Sequence, residues 1–169
     1  MNTTLVIANI ISLIGCVVMV AIGLINERKK ILLTQCVQWT IMSISNLMLG
    51  GITAVISNTI SIARNLYSIK KPLTMPIKLL IIAAQLSLTI AINKQGLLGW
   101  LPAIGVVTFT LFLDVKDEKI LKLWMIFGQT LWAIFDISLK NYTAFAFDIF
   151  TIISTLIGIW KLLQKKHKE

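Results

Sequence analysis

Residues 44–63, ISNLMLGGITAVISNTISIA, and residues 134–153, IFDISLKNYTAFAFDIFTII, align without a gap at an offset of 90. Ile44/Ile134, Leu49/Leu139, Thr53/Thr143, Ala54/Ala144 and Ile62/Ile152 are identical, while Asn46 meets Asp136 and Asn58 meets Asp148. The register holds further out, through Ile14/Ile104, Gly15/Gly105, Val17/Val107, Lys29/Lys119 and Thr40/Thr130. In a soluble protein a long period of this kind argues for a solenoid or an array. In an apolar chain it argues for the duplicated helix bundles of small transporters.

This chain is apolar: 57% of its residues are hydrophobic and only 14% are charged. Apolar stretches run at roughly 4–25, 31–49, 52–69, 74–92, 97–113, 120–139 and 142–163. A helix needs about 20 residues to cross a hydrocarbon core of about 30 Å, so each stretch is long enough to span. The strands of a transmembrane barrel would alternate polar and apolar residues over about 10 positions, and these stretches do not. The expected fold is an all-α polytopic membrane protein with seven transmembrane helices.

The formal net charge of +9 is distributed by topology. With the N-terminus outside, 13 basic residues fall on the inner side: Arg28, Lys29, Lys30, Lys70, Lys71, Lys78, Lys116, Lys119, Lys122, Lys161, Lys165, Lys166 and Lys168. Only Lys94 and Lys140 fall outside. Basic loops are retained in the cytoplasm, so this asymmetry predicts a multi-pass membrane protein with its N-terminus outside and its C-terminus cytoplasmic. The basic excess is accounted for by topology and attraction to anionic lipid, and it gives no footprint for nucleic acid. Met1-Asn2-Thr3-Thr4 lacks the positive region of a cleavable signal, so the first apolar stretch is expected to remain as a span.

The repeat and the topology support each other. A three-helix unit crosses the membrane an odd number of times, so a direct copy needs one extra crossing to enter in the same orientation. The fourth stretch, flanked by Pro72 and Pro76 and unmatched in either repeat, fits that role. The expected organisation is a first repeat over 1–69, a linker helix within 70–96, a second repeat over 97–163 and a basic tail over 164–169, with parallel repeats. Gly50-Gly51 and Lys140-Asn141 supply tight turns at equivalent places.

Leu47-Met48-Leu49-Gly50-Gly51, Asn58, Arg64-Asn65 and Leu101-Pro102-Ala103-Ile104-Gly105 resemble the YgjV-type bacterial inner-membrane family, and the resemblance extends over essentially the whole chain. A 3+1+3 chain of this size also resembles the SWEET, PQ-loop and PnuC group of small transporters. Trp132-Ala133-Ile134-Phe135-Asp136 with Tyr142 is similar to the C-terminal half of PnuC-type vitamin transporters. SWEET-type carriers use a polar pair from the third and seventh helices, and Asn58 and Asp148 are the matching positions. Such carriers carry hinge prolines in both halves, whereas Pro102 here aligns with Ser12, which implies a one-sided hinge.

Polar residues inside the apolar stretches mark the candidate site. Asn58, Ser61 and Asn65 share a helical face, and Asp148, Thr151 and Thr155 share the equivalent face 90 residues on. Gln35, Trp39 and Asn46 form a second stripe, matched by Gln129, Trp132 and Asp136. Asn, Ser and Thr also join membrane helices through hydrogen bonds of about 0.6–2 kcal/mol, a competing reading for these positions and for Gln85. A carboxylate costs on the order of 2.5–3.5 kcal/mol to insert near a helix centre, so Asp148 needs water, a partner or a solute. Asp136, nearer the membrane surface, reads equally well as solvated, and Arg64 reads as snorkelling or ion-paired, with binding of an anionic solute as the other reading. Trp100, Trp124 and Trp160 read as an interfacial belt, Cys16 and Cys36 as apolar packing residues, and His167 as solvated.

No buried histidine, metal-ligand cluster, activated nucleophile or phosphate loop suggests an enzyme, a metal or a cofactor. The expected function is a small-solute carrier or facilitator using alternating access between the two bundles. Its solute-binding residues would be Asn58, Asp148, Trp39, Trp132, Asn46, Asp136 and Gln129, and its solute small, polar and ring-containing. The alternative is a non-transporting membrane receptor or assembly partner on the same fold, and the sequence leaves room for a homo-oligomer.

Overall fold

The computed structural model describes residues 3–166, which form seven α-helices and no strand. His167 and the end of the basic tail, through Glu169, lie outside the described residues, as do Met1 and Asn2. The helices are α1 (Thr3–Leu24), α2 (Arg28–Met48), α3 (Ile52–Lys70), α4 (Met75–Ile92), α5 (Leu101–Phe112), α6 (Glu118–Ser138) and α7 (Tyr142–Lys166). A single 3-10 turn, Leu98–Trp100, leads into α5. Pro76 and Pro102 each fall in the first turn of a helix, where no backbone donor is lost to the ladder. Pro102 therefore starts α5 and does not hinge its middle.

Burial is inverted relative to a soluble domain. Arg64, Asn46, Asn58, Asn65, Gln85 and Asp148 are buried, whereas Leu80, Ile90, Leu47, Val17 and Trp160 are exposed. In water this arrangement would leave a large apolar surface unburied and bury polar groups at a cost of several kcal/mol. In lipid the outer surface is solvated and the interior carries the polar groups. Four helices, α1, α4, α6 and α7, are long and apolar enough to cross a membrane. The other three fall short of the seven apolar spans expected. Polar residues that turn inward lower the hydropathy of α2 and α3, and α5 has only 12 residues.

The helices contact one another in the cyclic order α1, α2, α3, α5, α6, α7, with α7 returning to α1. Helix α4 sits outside this ring against α3 and α5. It is held by Gln85, whose Nε2 donates to Ser57 Oγ at 3.0 Å and to Thr89 Oγ1 at 3.0 Å. Gln85 is thus an interhelical hydrogen-bonding residue, as its lack of a counterpart in the other half suggested.

The 90-residue offset is visible in the turns. In the α2–α3 hairpin Gly51 N donates to Asn46 O at 2.8 Å, and in the α6–α7 hairpin Asn141 N donates to Asp136 O at 2.9 Å. Gly50 and Lys140, also 90 apart, both have left-handed backbone, at φ 77° and 61°. The two turns meet: a Cβ on Gly51 would sit 2.9 Å from Leu139 Cδ1, so glycine permits the approach. At the opposite end Glu27 and Asp117 precede α2 and α6 in nearly the same extended conformation. We refer to these as the hairpin end and the basic end.

The basic end is closed twice. An apolar cluster of Ile22, Ile31, Leu32, Leu73, Phe109, Leu113, Leu121 and Met125 fills the ring. Beyond it Asp114 gathers two cations, Arg28 Nη2 at 2.9 Å on Oδ1 and Lys78 Nζ at 3.1 Å on Oδ2. Arg28 also donates to Ser68 Oγ at 2.9 Å, so one carboxylate ties α2, α3 and α4 to the end of α5.

Candidate solute-binding cavity

Inward-turned side chains of α1, α2, α3, α6 and α7 enclose a small polar cavity at the hairpin end, of about 20 Å³. A larger cavity of about 60 Å³ lies toward the basic end. The two share Met19, Gln38, Trp39, Gln129 and Trp132 as walls, so they are successive compartments along one axis. A buried water needs about 10–15 Å³ of this kind of volume, so the first holds about one water and the second several.

Asn58, Asp148, Trp39, Trp132, Asn46, Asp136 and Gln129 all line the hairpin-end compartment. The reason is helical: Asn46 and Trp39 are seven apart on α2, Asp136 and Gln129 seven apart on α6, and seven residues are close to two turns. Gln38, Met19 and Met42 complete the wall, and the sequence reading did not single them out. Gln38 adjoins Trp39 and has Gly128 as its counterpart in the other half, so neither the stripe nor the repeat marks it. Gln38 Nε2 and Gln129 Nε2 each lie 3.4 Å from the Met19 sulfur, which brings α1, α2 and α6 together at the waist.

The polar atoms of this compartment are incompletely paired. Gln129 Nε2 donates to Asp148 Oδ1. Both amide atoms of Asn46 and Asn58 Nδ2 are buried without a hydrogen-bond partner among the described residues. The Asp136 and Asp148 carboxyls lie within hydrogen-bonding reach of each other. An unpaired buried polar group costs about 1–3 kcal/mol, so three such atoms around one cavity are expensive unless something polar enters. Asp136 is only 1% exposed, which overturns the solvated reading of its position. The reason is the turn itself: Asn141 Nδ2 reaches Asp136 Oδ1 at 3.5 Å and the hairpin folds over the carboxyl.

Arg64 stands in the wall of the larger compartment. It does not snorkel, and it pairs with no carboxylate among the described residues. It is 1% exposed, with Nε and Nη2 donating to Asn65 Oδ1 at 3.1 and 3.0 Å. Its Nη1 donates to Thr110 Oγ1 at 3.0 Å and to Val106 O at 3.3 Å. The guanidinium carbon lies 4.9 Å from the Phe109 ring centre and 5.6 Å from that of Trp39, within cation–π range. Asn65 Nδ2 in turn donates to Gln35 Oε1 at 2.9 Å, so the arginine is held rigidly from α2, α3 and α5.

Trp124, half-buried near the start of α6, stacks on Phe112 at 3.8 Å between ring centres and lines the larger compartment. Trp160 is 58% exposed on the outer surface of α7, where a belt residue belongs. Cys16 and Cys36 are free, and no group of metal-ligating side chains occurs among the described residues.

A ring of helices with an apolar exterior and a polar cavity on its axis defines a polytopic helical membrane protein. Residues 6–166 match the family model of the bacterial inner membrane protein Imp-YgjV, and the chain belongs to that family. No curated protein and no solved structure matches it.

Proposed function

We propose that this protein is a small-solute carrier of the bacterial inner membrane, built as two parallel three-helix repeats joined by α4. The observation that carries this reading is the buried cavity on the ring axis, with unpaired polar atoms from α2 and α3 beside the Asp148 carboxyl of α7. A pure assembly partner needs no such hollow, and solute flux separates a carrier from a receptor. The equivalent hairpins, and the outlying position of α4, support the 3+1+3 plan. In this plan α1–α3 and α5–α7 rock about the waist at Gln38, Trp39, Gln129 and Trp132. The basic end opens when Arg28 and Lys78 release Asp114. The N-terminus and hairpin end face the periplasm, and the lysine-rich end faces the cytoplasm.

Asp148 and Asn58 bind the solute's polar groups, with Trp39 and Trp132 as walls. The test is a small-molecule thermal-shift screen on protein in lipid nanodiscs, followed by uptake of each stabilising compound into proteoliposomes. Asp148→Asn should keep the fold and lower both binding and uptake by about tenfold or more, the usual cost of losing a charged hydrogen bond. Compounds that bind yet never cross the bilayer would remove the carrier reading and leave a receptor. For orientation, a single cysteine at Lys140 should label from the periplasmic side and one at Lys116 only after permeabilisation; the opposite pattern would overturn the topology.

A further inference from the structure

The cavity axis carries opposite chemistry at its two ends. Toward the basic end stands Arg64, a buried guanidinium whose four hydrogen bonds go to neutral oxygens of Asn65, Thr110 and Val106. A guanidinium has five N–H donors, so at least one N–H is left over. No carboxylate among the described residues pairs with it, although burying an unpaired cation is among the most costly arrangements a fold can hold. Toward the hairpin end stand the Asp136 and Asp148 carboxyls, within hydrogen-bonding reach of each other and with no cation paired to either among the described residues, and Asn46 Oδ1 is an unpaired acceptor beside them. The Arg64 and Asn58 levels on α3 are six residues apart, about 9 Å along the helix, before the arginine side chain reaches back. Between them the walls are Trp39, Trp132 and Met19, which offer no charge.

We infer that the cavity is a bipolar site for a small zwitterion, with the anionic group on Arg64 and a protonated amine on Asp148. A purely neutral solute would leave the arginine without a counter-charge, and a simple cation would answer only the carboxyl end. A solute carrying both charges supplies each end with the partner the protein withholds. Trp39 takes part twice, stacking on the Arg64 guanidinium and facing the smaller compartment, so the solute body lies against its ring. The inference rests on the central cavity being the solute site of the carrier proposed above.

The experiment measures binding of short α- and ω-amino acids to the full-length protein in lipid nanodiscs by titration calorimetry. Each amino acid is paired with two probes, the matching amine without the carboxylate and the matching carboxylate without the amine. The zwitterion should bind at least about tenfold tighter than either, since each lost charged hydrogen bond costs about 1.5–3 kcal/mol. Arg64→Gln should erase the difference between amino acid and matching amine while retaining whatever the amine binds. Asp148→Asn should erase the difference between amino acid and matching carboxylate. Amino-acid amides on the unaltered protein give the same comparison with no variant to misfold, and they should bind like the amine. Equal binding of all three probe types, or no binding by any amino acid, overturns the inference. Proteoliposome flux separates the two readings. Arg64-dependent zwitterion binding without flux keeps the bipolar site and removes the carrier. Flux of a neutral solute, with zwitterions excluded, keeps the carrier and removes the bipolar site.

Discussion

Helices α3 and α7 hold equivalent places in the two halves of the chain and share a geometry, but they differ in chemistry. Asn58, Ser61, Arg64 and Asn65 on α3 correspond to Asp148, Thr151, Ser154 and Thr155 on α7, and all eight are buried. Their neighbours correspond too. Arg64 donates to Thr110 on α5 at 3.0 Å, and Ser154 donates to the Val20 carbonyl on α1 at 3.2 Å; Thr110 and Val20 are again 90 apart. What differs is charge: α3 contributes a cation and amides, α7 a carboxyl and hydroxyls. Identical helices would give a like-charged lining on both sides of the axis, whereas this difference between α3 and α7 gives the axis a direction.

The most severe way to break this asymmetry is to place a carboxylate in both halves. Asn58→Asp adds a third acid beside Asp136 and Asp148 and should cost on the order of 2.5–3.5 kcal/mol, seen as a lower unfolding midpoint in nanodiscs. Combined with Asp148→Asn, the same substitution merely moves the charge across the axis and should recover most of that loss. Failure of the pair to recover would mean that the two positions are not equivalent.

A middling effect is expected where the two helices anchor. Thr110→Val removes an acceptor from a buried guanidinium and should cost about 1.5–3 kcal/mol. Ser154→Ala removes a neutral hydrogen bond within the membrane and should cost about 0.6 kcal/mol. Equal losses in chemical unfolding would show that Arg64 leans on Asn65 and Val106 alone.

The smallest effect concerns the hairpins. Gly50→Lys places a side chain in left-handed backbone with open space around it, so only conformation opposes it, at about 1 kcal/mol. Lys140→Gly relieves about the same strain but adds freedom to the unfolded chain worth about 0.5–1 kcal/mol, leaving the midpoint nearly unchanged. A large gain from Lys140→Gly would show that its turn is strained beyond its partner's.

Much of the cavity was legible because repeat and helical period mark the same residues. Asn58, Asp148, Asn46 and Asp136 stand out as polar positions in apolar surroundings, and their 90-residue pairing puts them at one level. The snorkelling and ion-pair readings of Arg64 failed for a reason that no local pattern corrects. Its partners Thr110 and Val106 lie more than 40 residues away on α5, and only the closed ring brings them under the guanidinium. The solvated reading of Asp136 failed because depth along a helix does not show whether a turn folds over its end. The stacking of Trp124 on Phe112 was not legible because the two belong to different helices.

The ring closes through two joints that are not alike. The α1–α7 packing is the most extensive in the molecule, while α3 and α5 touch sparingly and α4 leans across both. A closed band with one broad joint and one narrow joint yields at the narrow one when it is strained. Bilayer tension or thinning would therefore be felt first between α3 and α5, where Arg64 crosses to Thr110, and α4 would act as the strap that limits the gap.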